Sequence, residues 1–532
     1  MAEAVLEVVF EKYLNLSYGR FKTLPKSLCK LLNLQILSLD CCHFLQRLPD
    51  RLKCLKSLRH LCLTQCNSLS RLAPEIGKLT SLRTLSIYIV GKQRGLLLAE
   101  LGQLNLTGEL HIKHMERVKN VMAVRDANLK SKHLSILVLS WDRNEESQVQ
   151  YNVEQIIEAL HPHPKELRTF RVEGYPGATF PQWVASPSPK NLNCVNLMDC
   201  ESCLHLQPLG KLPSLKFLTV SNMKHLKHRE NEPYDAGVVG SYIALEFLAL
   251  ERLPNLIRLS REVGESMFQR LSELQISHCP KLALPCLPSL NQLRIEGKSS
   301  HDLLSSIHIF HSLECLWFMY NEELISFPDE MLRDLTPLKK LEICKYSKLE
   351  VLPLEIMSLN AIEELNINHC NSLEPLTDQM LQGFHSLKRL EIVSYCKFNF
   401  STGFEYLTSL EDLTISNCPE VQGFPESLQH MTSLQSLTLC DLCNLKSLPD
   451  WLGHLSLLHS LLISKCPNLM HLPMSIQCLS TLKSLSIYGC PELKIPCEED
   501  WPTIPHNPHM RVNPKTVYTR ERGGHCITYG IV

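Results

Sequence analysis

Aliphatic residues return along this chain in one short frame, L-x-x-L-x-L, with a period of about twenty-four residues. Leu34, Leu37 and Leu39 are followed by Cys42, Leu45 and Leu48-Pro49, and Leu58, Leu61 and Leu63 by Cys66 and Leu69. The frame is as clear near the far end, at Leu434, Leu437 and Leu439, at Leu458, Leu461, Ile463 and Cys466, and at Leu482, Leu485, Ile487 and Cys490. Alternation inside the frame is that of a strand, with successive side chains on opposite faces. It predicts that Leu61 and Leu63 point into a core while His60, Cys62 and Thr64 point away from it. The ninth position of the frame, where the chain must turn, is mostly cysteine: Cys42, Cys66, Cys200, Cys279, Cys370, Cys418, Cys466 and Cys490. A small polar or thiol group there can satisfy backbone groups that the turn leaves unpaired. Leu-Pro follows at Leu24-Pro25, Leu48-Pro49, Leu352-Pro353, Leu448-Pro449 and Leu472-Pro473. Proline disfavours a long helix, so the return is expected to be extended or to hold only short helices.

One such unit buries too little to fold alone, and stacking against neighbours is what stabilises it. The period is that of leucine-rich repeats. The expected fold is therefore an α/β leucine-rich-repeat solenoid: a curved horseshoe with parallel strands on the concave face and an irregular or short-helical convex side. Some twenty strand centres follow from the frame, from Leu14, Leu37, Leu61 and Leu85 through Phe170, Val195 and Leu293 to Leu461 and Leu485. Residues 13–497 read as the array, 1–12 as an N-terminal cap or the remnant of a coiled-coil start, and 498–532 as a C-terminal cap and disordered tail. Two spacings depart from the period. The first holds the charged stretch Asp142–Ser147 and then Val153–Leu160, whose apolar residues have helical spacing before the prolines at 162 and 164. The second, Lys227–Ser241, is polar and reads as a loop.

Charge narrows the function classes. With 54 basic and 55 acidic residues the chain is nearly neutral, which points away from nucleic acid and anionic lipid. No apolar run reaches membrane-spanning length, and Met1–Phe10 lacks the basic start of a secretory signal. The 23 cysteines fall mostly at turns and on strands, a pattern expected in a reducing compartment, cytoplasmic or nuclear. Cys200/Cys203 and Cys440/Cys443 are C-x-x-C pairs without a second local pair, so neither suggests a tetrahedral metal site; His161 and His163 likewise lack further ligands. No G-x-S-x-G elbow or other nucleophile context appears, and no enzyme is expected.

Three stretches carry a more specific likeness. They are Leu104–Ile112 with Ala127–Lys130 and Leu137–Trp141; Ile156–His163 with Gly174–Gly177 and Phe180–Trp183; and Cys-Pro-x-Leu turns such as Cys279–Leu282 and Cys466–Leu469. In these the chain resembles the leucine-rich-repeat region of plant coiled-coil nucleotide-binding (NLR-type) disease resistance proteins. The resemblance implies a recognition module of innate immunity whose partner is a pathogen effector, a guarded host protein or the nucleotide-binding module of a receptor. That module is not seen here. There is no G-x-x-x-x-G-K-[ST] loop, and Gly77-Lys78-Leu79 and Gly210-Lys211-Leu212 lack the hydroxyl that would hold magnesium. No cofactor is expected, and the chain reads as a truncated receptor.

On the strand frame, Arg171, Phe217, Phe247, Arg294, Trp317, Met319, Lys340 and Arg389 face away from the core, with Tyr320 beside them. Aromatic and arginine side chains dominate interface hot spots, so these are the expected partner contacts. Two other readings exist. An F-box-type ubiquitin-ligase substrate receptor would need a helical F-box ahead of the array, and an extracellular receptor ectodomain would show Gly-x-Ile-Pro turns where this chain has Leu-Pro.

Overall fold

The computed structural model describes residues 12–142, 152–185, 190–203, 209–226, 242–259, 268–494 and 509–513. Most of the charged stretch after Asp142, the polar spacer 227–241, the first eleven residues and the tail beyond 513 lie outside the described residues. The chain divides into two compact units, Met1–Leu290 and Asn291–Val532.

In the first unit, four short strands at Tyr13–Asn15, Ile36–Ser38, His60–Cys62 and Thr84–Leu85 pair in parallel, leucine opposite leucine. The strand breaks at Ser86, whose hydroxyl accepts the Leu63 amide at 2.6 Å, and pairing resumes at Ile87–Ile89. From there parallel strands continue through Thr107–Lys113, His133–Ser140, Thr169–Glu173, Cys194–Met198, Phe217–Ser221, Phe247–Glu251 and Glu273–Ser277. The second unit stacks Gln292–Glu296, Cys315–Met319, Lys340–Cys344, Glu364–Asn368, Arg389–Val393, Asp412–Ser416, Ser436–Cys440, Ser460–Ser464 and Ser484–Tyr488 the same way. Every strand centre expected from the frame falls in a strand. One more strand, His509–Asn513, pairs with Ser484–Tyr488 beyond residue 497, where the leucine frame is no longer visible.

Alternation sets the faces. In most five-residue strands the second and fourth residues are buried and the others partly covered or exposed, as in Cys315–Met319 and Asp412–Ser416; Asn366, Ser221 and Ser464 are buried as well. Leu37, Leu61, Leu365 and Leu461 are completely inaccessible. Each such leucine contributes roughly 2 kcal/mol by removal from water.

Three devices repeat from rung to rung. Just after the strand, one residue adopts a left-handed conformation: Cys41, Asn222, Arg252, Tyr320, Lys345, His369, Asn417 and Lys465 all have φ between 51° and 59°. Its amide then donates to the strand of the next rung, for example Lys345 to Asn368 and Asn417 to Cys440, so the strain is offset by a hydrogen bond. After Cys41, His369, Asn417 and Lys465 the next residue is a buried thiol, and after Asn222, Arg252 and Lys345 it is the buried Met223, Leu253 and Tyr346. Cys66 Sγ donates to the Leu39 carbonyl at 3.1 Å and Cys279 Sγ to that of Ser277 at 3.4 Å. Every described cysteine is a free thiol. Asn321 takes the same place between Leu316 and Glu323, and its side-chain oxygen accepts the amides of Glu323 and Leu324 at 3.1 and 3.2 Å. The third device is the Leu-Pro return. Pro49, Pro353, Pro449 and Pro473 are extended, and each leads into a 3-10 helix of five residues. Proline is tolerated just ahead of a first turn and sets where each short helix begins; the return holds only short helices, as expected.

A candidate protein-binding face on the outer side of the strands

The side chains of interest are those that leave the strands on the face opposite the leucine core. In the second unit these form three rows, one residue per strand, set by the register. The middle row runs Arg294, Trp317, Glu342, Asn366, Glu391, Thr414. One flanking row holds Cys315, Lys340, Glu364, Arg389 and Asp412, the other Glu296, Met319, Cys344, Asn368 and Val393. Arg294, Trp317, Met319, Tyr320, Lys340 and Arg389 thus share one face on neighbouring strands, with Tyr320 44% exposed at the left-handed corner.

The two expected basic contacts in the flanking row are held by carboxylates. Glu364 accepts from Lys340 at 3.0 Å and from Arg389, and Arg389 also reaches Asp412 at 3.4 Å. These pairs are partly solvated, so each contributes at most about 1 kcal/mol, but they fix where the long side chains stand. Lys345 Nζ lies 4.6 Å from the centre of the Tyr320 ring, a cation–π contact that steadies the corner.

The middle row is different. Sequence reasoning picked out aromatics and bases and passed over Glu342, Asn366, Asn368 and Glu391, although they occupy the same outward positions of the same frame. Burial, followed by the nearby charge of Glu342, raises the Glu391 carboxyl above the ordinary glutamate range; Lys340, Arg389 and a hydrogen bond with Asn368 oppose the shift. Asn366 is 7% exposed, and its side-chain oxygen has no hydrogen-bond partner.

In the first unit the expected contacts are Arg171, Phe217 and Phe247. Phe217 and Phe247 are register neighbours with ring centres 6.3 Å apart, and Phe217 is 43% exposed. Arg171 Nε lies 2.6 Å from a Glu173 carboxylate oxygen on its own strand, so its charge is partly spent. The neighbouring His111 is held well below the ordinary imidazole range, at about 4, by burial and then by Lys113 and Arg171.

The specific motif stretches of this unit turn inward instead. Trp183 Nε1 donates to the Ile157 carbonyl at 3.2 Å, and its ring meets Phe170 edge-on at 5.0 Å. Tyr175 packs between Trp141 and Phe180 and donates to the Thr179 carbonyl at 2.8 Å. The helix expected from spacing is present at Val153–Ala159. Its acids cap the next rung: Glu154 accepts the amides of Ala178 and Thr179, and Glu158 that of Gln182. Gly108, with φ +82°, marks a shift of strand register against His133–Ser140 that a β-branched side chain could not adopt.

Residues 98–223, which contain these stretches, match the family model described as R13L1/DRL21 leucine-rich repeats. The chain is 35% identical over 402 residues to a putative disease resistance RPP13-like protein 1 of Arabidopsis thaliana, covering 69% of this chain and 37% of that protein. It is 36% identical over 260 residues to the putative disease resistance protein RGA4 of Solanum bulbocastanum, covering 48% of this chain and 26% of that one. The array is homologous to the leucine-rich-repeat region of plant disease resistance proteins. The chain spans only about a quarter to two-fifths of the length of these curated relatives. Among solved structures, a leucine-rich-repeat protein of Leptospira interrogans aligns over 93% of this chain and 94% of its own, at 19% identity and a TM-score of 0.39. Among the described residues no helix is long and apolar enough to cross a membrane, and no group of three or more His, Cys, Asp or Glu could hold a metal ion.

Proposed function

We propose that this chain is a non-enzymatic recognition module of plant immunity, acting in the cytoplasm, which binds a pathogen effector or a guarded host protein through the outward strand face. The observation that carries this reading is the row of Arg294, Trp317, Glu342 and Glu391, half-covered side chains around the buried Asn366, held on the strand backbone of an array homologous to that of disease resistance proteins. Rigid presentation lowers the entropy lost on binding, which is what a recognition surface needs. The F-box and ectodomain readings have no comparable support, because the relatives with sequence likeness are disease resistance proteins.

The test is a binding screen of the full chain against a panel of purified secreted pathogen proteins and their host targets. A true partner should lose at least about thirtyfold in affinity, roughly 2 kcal/mol, on Trp317→Ala or Arg294→Ala. Partners that ignore both changes yet respond to substitutions on the return side, such as Leu354→Asp, would move the recognition surface off the strands.

A further inference from the structure

The middle outward row of the second unit holds two carboxylates that have not been matched to a cation. Among the described residues neither Glu342 nor Glu391 is in an ion pair, whereas the neighbouring Glu364 and Asp412 are taken up by Lys340 and Arg389. The two stand on strands either side of Asn366 in direct register, so their backbones lie roughly 10 Å apart at ordinary strand spacing. Between them is the buried Asn366 amide with its unpartnered oxygen, and beside it the Asn368 oxygen is likewise unpartnered and inaccessible. Trp317 adjoins Glu342 on the other side. Lys340 and Arg389 lie near enough to Glu391 to favour its charged form, and Asn368 hydrogen-bonds it, but both cations are paired with Glu364; the other cations near the row are Arg294, beyond Trp317, and Lys345, which lies against Tyr320.

Building on the recognition role above, we propose that this row receives an arginine side chain of the protein partner, its guanidinium between Glu342 and Glu391 over Asn366 and its stem against Trp317. The chemistry selects arginine. A buried, unsatisfied acceptor is costly until a donor arrives, and a carboxylate pair repelling each other gains most from a positive charge placed between them. Guanidinium offers five N–H donors in a plane and is weakly hydrated; an ammonium supplies a strongly hydrated point charge.

Fluorescence anisotropy on the full chain, with labelled hexa-arginine, hexa-lysine and hexa-glutamine peptides, tests this. Hexa-arginine should bind more tightly than hexa-lysine, and hexa-glutamine should not bind. The double variant Glu342→Gln/Glu391→Gln should weaken hexa-arginine at least tenfold. Glu405→Gln/Glu426→Gln, on short helices of the return side and equal in charge change, should leave it within twofold. Asn366→Leu should weaken the peptide while the melting temperature stays level or rises, which a purely structural asparagine would not do. Equal losses in the two double variants would reduce the effect to net charge, and equal binding of hexa-lysine would remove the arginine assignment. A protein partner that needs Trp317 but ignores Glu342→Gln/Glu391→Gln would leave the docking face intact and overturn the arginine site alone.

Discussion

The rungs at residues 98–203 and those at 291–494 are built on the same frame and spend their side chains in opposite ways. In the first stretch the residues that make the chain recognisable are consumed by the fold. Trp183 packs on Phe170 and Tyr175 on Phe180, Glu154 and Glu158 cap a neighbouring loop, and Gly108 permits a register shift. The second stretch is regular, with strands of equal length and short returns, and its distinctive side chains stand on the outer face with polar atoms left over. A conspicuous motif in a repeat array therefore marks where the repeat is interrupted and repaired. The proposed recognition surface lies where the repeat is plain and the outward positions differ from rung to rung.

That contrast can be broken most severely at Trp183. Trp183→Ala removes a side chain only 5% exposed together with its hydrogen bond to Ile157, and should cost about 3–5 kcal/mol in a denaturant melt. A loss below about 1 kcal/mol would mean that the motif is not a structural repair.

Two buried ionisable groups, one from each stretch, sharpen the comparison because they respond to alkali with opposite sign. Lys132 is inaccessible, donates to the Leu104 carbonyl at 2.8 Å, and is lowered to about 8 by burial. Between about pH 8 and 10.5 the folded chain sheds this proton before the unfolded chain does, so the unfolded state binds more protons and stability rises with pH. The wild type should gain relative to Lys132→Met across that window, by up to about 3 kcal/mol. A flat difference would place the ammonium in water. In the regular stretch burial pushes the Cys418 thiol up to about 11. Here the folded state keeps its proton longer, so the contribution is complete below about pH 9 and is lost as pH rises through 11. Cys418→Ser should flatten that decline by about 2–3 kcal/mol, read from urea melts at pH 8.5 and 11.

Much of this was legible in the sequence. Leucine alternation located the strands and their outward positions, because a strand has only two faces and one must be apolar. The acidic and amide members of the proposed binding row were legible in principle, since Glu342, Asn366 and Glu391 occupy the same frame position as Trp317. They were passed over because their significance lies in lateral contacts: Lys340 is claimed by Glu364 one rung on, and Glu342 by nothing comparable. Burial of Lys132 and the left-handed turn at Tyr320 carry no local signal, for both depend on how neighbouring rungs close over them. The strand at His509–Asn513 forms by pairing with its neighbour's backbone, although its sequence lacks the leucine frame.

The central claim is that adjacent residues of one strand divide fold from recognition. Leu316 and Trp317 test it directly, since the first is fully buried and the second stands half-covered on the outer face. Chemical melts and partner affinity should be measured on the two alanine variants side by side. Leu316→Ala should lose about 2–5 kcal/mol of stability with affinity per folded molecule unchanged. Trp317→Ala should melt within about 1 kcal/mol of wild type and lose at least about thirtyfold in affinity. If Trp317→Ala instead unfolds the chain while each folded molecule binds as before, the outer face is not the recognition surface.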